Sequence, residues 1–370
     1  MQSIEKEIMM KNNNERLFLD VHIIQTVPPS NINRDDTGSP KTAQYGGVRR
    51  ARVSSQAWKK AMRDYFIDNS AQDSVGLRTM EIVEYVKEKI MELDQNTDEI
   101  LAKDLAKSVI EKAGIKLKDD RTKALFFIGA KQAKDLAEAA IERVTDKKEL
   151  QSILKNNTAI DIVLFGRMVA DDPSLNEDAS SQVAHAISTH AVQTEFDFFT
   201  AVDDKKTQDN AGAGMLGTVE YNSSTLYRYA NVAVHELCNQ LDDKESVINT
   251  LKLFVKAFSN SMPTGKSNTF ANQTLPEFLE VKLRKDRPVN LVNAFECPVK
   301  AHDGYSVESI KRLLAEESKV SKFVAEPLHS YALFADYVDV ECKSHKTDSM
   351  RGLLEELEKD LVQLLDKVGD

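Results

Sequence analysis

The residues best suited to chemistry fall in one stretch of the chain. From Thr37 to Arg63 there is no Asp or Glu, yet Lys41, Arg49, Arg50, Arg52, Lys59, Lys60 and Arg63 are all present. The stretch carries +7 in a chain of formal net charge −10, so everything outside it sums to −17. Such asymmetry is either a solvated basic face or the electrostatic footprint of a polyanion. The run R-D-D-T-G-S-P-K, then Y-G-G-V-R-R-A-R-V-S-S-Q-A-W-K, combines groups that suit a nucleic-acid backbone. Arginine offers forked donors to phosphate oxygens, and serine and glutamine add neutral ones. Gly46-Gly47 lets the main chain approach a ligand closely. Tyr45 suits stacking on a base or simple packing of the loop.

Other chemistries find less support. There is no phosphate-cradling G-x-x-x-x-G-K-[ST], no G-x-G-x-x-G after a strand and no G-x-S-x-G. His235-Glu236 opens an H-E-x-x-H pattern, but position 239 is Asn, so His235 reads as structural. His185 and His190 are five apart, a spacing that neither helix nor strand places on one face. Asp35-Asp36 and Asp203-Asp204 are adjacent carboxylates that could hold Mg²⁺, or cap and solvate turns. Two-metal catalysis needs several acids converging on one place, which adjacent pairs do not establish. The three cysteines, Cys238, Cys297 and Cys342, are distant and odd in number, against a disulfide framework or four-cysteine zinc site. They suggest a reducing compartment. No metal, no cofactor and no catalytic residue is expected.

These groups need elements to position them. Leu17 to Thr26 alternates as a strand with one strongly apolar face, Leu17, Leu19, Val21 and Ile23, ending at Val27-Pro28-Pro29. A long polar loop is expected next, and loops of that length are functional or disordered. Ser54 begins a helix on which Trp58, Ala61, Met62, Tyr65 and Phe66 form one face, with Lys59, Lys60 and Arg63 off it. Residues from about 78 to 157 read as helical throughout. The stripes are Ile82, Val86, Ile90 and Leu93; Leu101, Leu105 and Val109; Leu136, Ala140, Ile141 and Val144; and then Leu150, Ile153 and Leu154.

From Ala159 short apolar pieces return. Aromatic strand-like segments EFDFFTAV and TLYRYANVAV flank a glycine-rich polar run, which predicts a long hairpin. A helix near Lys244 to Phe258, a strand at VNLVNAF, the helix SIKRLLAEES and a terminal helix with Leu354, Leu357, Leu361 and Leu364 or Leu365 follow. Strand, helix, strands, helix and strand is the order of a ferredoxin-like unit, interrupted by the helical block. With 370 residues, 41% hydrophobic and 29% charged, the chain can bury a large core, and disordered and low-complexity classes are excluded. No apolar run is long enough for a membrane span, and the polar start lacks a secretory core, so no membrane association and a cytoplasmic location are expected.

HIIQTVPPSNINRDDTGSPKTAQYGGVRRARVSSQAWKKAMR strongly resembles the CasC family, the backbone subunit of type I-E CRISPR surveillance complexes (Cascade). The resemblance continues in DIVLFGRM, VAHAISTHAV, EFDFFTAVDD, LGTVEYNSSTLYRYANV, PTGKSNTFA and LVNAFECPVKAHDGY, and so covers most of Leu17 to Tyr305. It implies an α+β fold with an RRM-like (ferredoxin-like) palm, a helical fingers insertion and a β-hairpin thumb. On this sequence the palm is 16–64, 179–199 and 223–345, the fingers 65–178, and the thumb 200–222. A polar extension, 1–15, precedes them, and a C-terminal helix, 346–370, follows.

The resemblance also implies a role. Such a subunit binds CRISPR RNA, lines up with further copies of itself and other Cascade subunits, and meets target DNA through the guide. Guide contacts carried over by position are Arg34, Lys41, Arg49, Arg50, Arg52, Ser54, Ser55, Gln56 and Lys59. Arg167 and Met168 are expected against the RNA from the palm side, and Lys266 is a further phosphate candidate. Met215 and Leu216 stand near the thumb tip, where an apolar wedge could part adjacent bases. A buried structural role is the alternative for Met168 and Leu216. A metal-dependent ribonuclease using Asp203, Asp204 and Asp209 is the rival reading.

Overall fold

The computed structural model describes residues 16–71, 74–169, 172–201, 215–241 and 243–366. The chain divides into two compact units. Among the described residues, one comprises those of 16–62, 183–231 and 254–366, and the other those of 63–182 and 232–253.

The first unit is built on a mostly antiparallel sheet. Its strands include β1 (Phe18–Ser30), β2 (Thr42–Tyr45), β3 (Val48–Val53), β4 (Ala186–Ser188), β5 (Glu195–Ala201), β6 (Met215–Ala233), β7 (Phe278–Arg284), β8 (His329–Phe334) and β9 (His345–Lys346), and the short strand Ser181–Val183 also pairs with β6. Their order is β9-β8-β7-β1-β6-β4-β3-β2, and β5 pairs with β6. The expected apolar face of β1 is present, with Leu19, Val21 and Ile23 fully buried. The strand runs past its two prolines because its ladder with β7 already closes at Ile24↔Phe278, so no donor to β7 is needed beyond.

Strand β7 was hidden in the sequence, and VNLVNAF is not a strand. Its last four residues form a 3₁₀ turn, Val292–Phe295. FLEVKLR reads as half charged, yet every residue of β7 is buried. The register places Lys282 opposite Asp20 and Glu280 opposite His22. Lys282 Nζ pairs with Glu280 at 3.0 Å and Glu317 at 2.6 Å, so the charges are tolerated because they neutralise one another. The helix Ser306–Val320, which carries Glu317, contributes Ile310 and Leu313 to the apolar cluster of Ile24, Tyr227, Tyr229, Phe278 and Ala332. This face of the sheet is therefore sealed rather than open.

Asp20 on that face accepts from Tyr229 Oη at 2.8 Å and from the Val289 amide at 3.0 Å. Burial raises its pKa from the ordinary 3.8 to about 6, against the pull of those hydrogen bonds and of Arg284 and Lys282. The folded chain thus holds this proton more tightly than the unfolded one. The group's contribution to stability is full below about pH 4, falls as pH rises to about 6 and stays low above, a change of roughly 3 kcal/mol. Urea unfolding across that range should show the decline, and Asp20→Asn should flatten it. An unchanged slope in the variant would remove Asp20 as its source.

The second unit is mainly helical, with helices Ile82–Leu93, Glu99–Lys112, Ala130–Ile141, Lys147–Lys155 and Ile160–Phe165 among its elements. The stretch is not helical throughout. Leu77–Thr79 pairs with Phe126–Ile128, and Leu117–Lys118 with Arg121–Thr122. Ile82, Val86 and Ile90 are fully buried as expected, but Leu93 is exposed. In Glu99–Lys112 the buried face is Ala102, Ala106, Val109 and Ile110, one residue round from the expected stripe, with Leu101 exposed. Small alanines let neighbouring helices approach closely, so the packed face is not the bulkiest one.

Candidate nucleic-acid interface

The expected polar loop is largely ordered structure. TAQY and VRRARV form a tight hairpin in which Thr42 faces Ala51 and Tyr45 faces Val48. Gly46 and Gly47 make its two-residue turn with φ of +59° and +78°, the left-handed conformation such hairpins require. A side chain at Gly46 is also excluded because its Cβ would lie 1.6 Å from the Glu296 carbonyl oxygen. Tyr45 packs at this turn, with its hydroxyl 3.3 Å from Asn293 Oδ1 and 3.4 Å from the Val292 carbonyl.

Before the hairpin, the Asp35 carboxylate Oδ1 accepts from the Thr37 amide at 2.9 Å, Thr37 Oγ1 at 2.6 Å and the Ser39 amide at 3.0 Å. These bonds, the Thr37 hydroxyl foremost, hold its pKa below the ordinary value. The acid therefore braces the turn that carries Arg34. Two asparagines, not singled out in the sequence, tie the segment down. Asn31 Nδ2 donates to the carbonyls of Gly38 at 2.9 Å and Glu220 at 2.8 Å. Asn33 accepts the Lys41 amide on its main-chain oxygen at 2.8 Å and the Ser54 amide on Oδ1 at 2.9 Å. The PTGK turn also abuts this segment, since a Cβ on Gly265 would fall 2.3 Å from the Ile32 carbonyl oxygen.

Arg34, Lys41 and Lys266 on loops, Arg52 on β3 and Ser54 at the start of the following helix are thus carried by segments locked to one another. Arg34, Arg49 and Gln56 are exposed, and Lys41, Arg52, Ser55, Lys59 and Lys266 are partly so. Among the described residues, none of Arg34, Lys41, Arg49 or Lys266 is paired with a carboxylate. Arg52 Nη1 lies 3.2 Å from His185 Nδ1. Burial, and then the charges of Arg52 and Lys41, hold the His185 imidazole below its usual pKa. At neutral pH it is an uncharged acceptor and leaves the local charge positive. Ser54 is buried and caps the helix Ser55–Asn69, accepting the Ala57 amide at 3.3 Å. His190 is structural: its Nε2 accepts the Thr225 amide at 3.1 Å, and its ring stacks on Tyr305.

Two expected contacts are corrected. Arg50 is fully buried, and its guanidinium donates to the carbonyls of Tyr45 at 3.1 Å, Ser188 at 3.0 Å, Phe295 at 2.7 Å and Glu296 at 3.2 Å. Arg167, in the helical unit, is equally enclosed. It donates to the carbonyls of Leu175 at 3.0 Å, Phe127 at 3.3 Å and Leu154 at 2.8 Å, with Glu177 3.7 Å away. Neither presents a surface to a phosphate; both are brackets holding distant main-chain segments.

The hairpin of β5 and β6 extends in register to Ala201↔Met215. Every residue of β5 is exposed, including Phe196, Phe198 and Phe199, which the sequence reading did not single out. Their signal was aromatic residues on both faces of one strand. Leu216 is 64% exposed and Met168 78%, so neither has the buried role weighed for it. The Met215 side chain, Asp203, Asp204, Asp209 and residues 1–15 lie outside the described residues. Among the described residues, no group of three or more His, Cys, Asp or Glu could hold a metal ion. No helix among them is long and apolar enough to cross a membrane.

This sheet and its companion helical unit are an architecture found in chains of CRISPR RNA-guided surveillance complexes. A chain of a "CRISPR RNA-guided surveillance complex, pre-nicking" has a TM-score of 0.84 and 31% identity, over 93% of this chain and 100% of that one. A chain of a second "CRISPR RNA-guided surveillance complex" has a TM-score of 0.73 and 27% identity, over 93% of this chain and 99% of the other. The family model for CT1975-like proteins matches residues 19–360, and the chain belongs to that family. No curated protein is a significant match.

Proposed function

We propose that the chain is the CRISPR RNA-binding backbone subunit of a type I-E Cascade complex. In this reading it oligomerises along the guide, holds the RNA backbone and presents the bases to target DNA in antiviral defence in the cytoplasm. The observation that carries the reading is the set of interlocked loops and strand β3 that present Arg34, Lys41, Arg52 and Lys266 without a carboxylate partner among the described residues. Such cations bind phosphates without reading sequence, and base pairing reads the sequence instead. With Arg49, Ser55, Gln56 and Lys59 they form the guide groove. Ser54 sets the helix start, and Arg50 and Arg167 hold the frame.

The order β7-β1-β6-β4, with Ser55–Asn69 and Lys244–Asn260 as crossover helices, supports an RRM-like palm. The fingers are 65–178 and the thumb 200–222, whose exposed Leu216, with Met215, parts neighbouring bases; Met168 flanks the RNA. The subunit is non-catalytic, its partners being CRISPR RNA, copies of itself and other Cascade subunits. Co-expression with a repeat–spacer transcript and the remaining subunits should yield a multimer retaining protected, guide-length RNA. An RNA-free particle would overturn the reading, as would Mg²⁺-dependent RNA cleavage abolished by Asp203→Ala.

A further inference from the structure

In the helical unit, two guanidiniums share one aromatic ring. The Arg63 guanidinium carbon lies 4.7 Å from the Phe127 ring centroid and that of Arg78 4.4 Å, so the two cations are no more than about 9 Å apart. Arg78 stands opposite Phe127 in the short antiparallel ladder, which fixes its place. The nearby carboxylate, Asp161, is fully buried and committed. Its Oδ2 accepts Arg63 Nε at 2.8 Å and its Oδ1 accepts the Gly76 amide at 2.8 Å. Arg63 Nη2 donates to the Gly76 carbonyl at 2.9 Å, which leaves Nη1 without an acceptor among the described residues. Arg78 is an exposed residue whose guanidinium, resting on the Phe127 ring, has no hydrogen-bond or carboxylate partner among them. Among the described residues, two positive charges are therefore held together against one spent negative charge, an arrangement that an added anion would complete.

We propose that Arg63, Arg78 and Phe127 form a second anion site, which takes a backbone phosphate of nucleic acid outside the guide groove. The Phe127 ring is almost wholly covered, so it cannot stack on a base, and the contact is independent of sequence. A phosphodiester spreads one negative charge over two non-bridging oxygens that can be shared between two guanidinium forks, and Arg is the residue suited to that geometry. The choice of a nucleic-acid phosphate over an acidic peptide rests on the RNA-binding reading above. Burial first, and the charge of Arg63 next, hold the Arg78 guanidinium below its ordinary pKa.

The test uses the full-length chain with Arg78→Gln, an exposed position whose loss leaves the Arg63–Asp161 pair intact. Arg49→Glu serves as the guide-groove control. Each is titrated over a salt series with guide-length single-stranded RNA, random-sequence duplex DNA and a polyglutamate peptide. Arg78→Gln should weaken one of the nucleic acids about three- to tenfold. It should also lower the slope of log K against log salt by about 0.7 if the phosphate is the RNA's, or about 0.9 if it is the duplex's. Unchanged binding of both by Arg78→Gln, while Arg49→Glu still loses RNA, overturns the site and leaves the guide groove standing. An effect confined to polyglutamate also overturns it, as a protein-binding site. A wild-type chain that binds neither nucleic acid overturns the functional reading and the site together.

Discussion

Arg49→Glu combined with Arg52→Glu should abolish RNA retention while the chain keeps its fold. Each substitution removes a cation from the proposed groove and installs an anion that would face the phosphates. Losing two phosphate contacts should lower the salt slope on single-stranded RNA by about 1.4, at about 0.7 per contact. At moderate salt the affinity should fall on the order of a hundredfold or more, since repulsion adds to the lost attraction. The fold survives because Arg49 is exposed and contributes its carbonyl, not its side chain, to the Val192 amide. Arg52 gives up one bond to the Thr42 carbonyl at 3.3 Å and its contact with His185. Fluorescence anisotropy over a salt series measures the effect, and an unchanged slope would place the groove elsewhere.

The residue between them behaves in the opposite way. Arg50→Ala should cost on the order of 4 kcal/mol of folding stability, a large share of the 5–15 kcal/mol typical of a protein. The variant leaves four carbonyl oxygens without their donor: those of Ser188 and Phe295, in bonds that are buried, and those of Tyr45 and Glu296, in bonds that are partly buried. Arg50→Lys should recover little, because one ammonium cannot span acceptors arranged around a planar fork. Urea unfolding measures both variants, and a loss below about 1 kcal/mol would show that the carbonyls find other donors. Any RNA defect in Arg50→Ala then reports on folding rather than on contact.

The two arginines look alike in sequence, and the reason they differ is not local. Arg50 is inward because its donors match carbonyls 138 and 245 residues away, a coincidence no window of sequence displays. Arg167 follows Gly166, whose φ of +79° sets the turn, and the carbonyls it serves become adjacent only in the fold. By contrast, the helix Ser55–Asn69 was readable because Trp58, Ala61, Met62 and Phe66 repeat with the helical period and are all buried. Val247, Leu251, Phe254 and Phe258 were readable for the same reason. Strand β7 was not, because Glu280 and Lys282 signal solvent by composition and reach the interior only as partners. The hairpin at Gly46-Gly47 was marked by its glycines, yet the surrounding polar residues outweighed that signal.

The strand Glu195–Ala201 offers both of its faces, with three phenylalanines, to whatever surrounds the chain. A strand that exposes apolar side chains on both faces favours association with other chains. The chain made alone is therefore expected to associate as its concentration rises, and light scattering over a dilution series checks it.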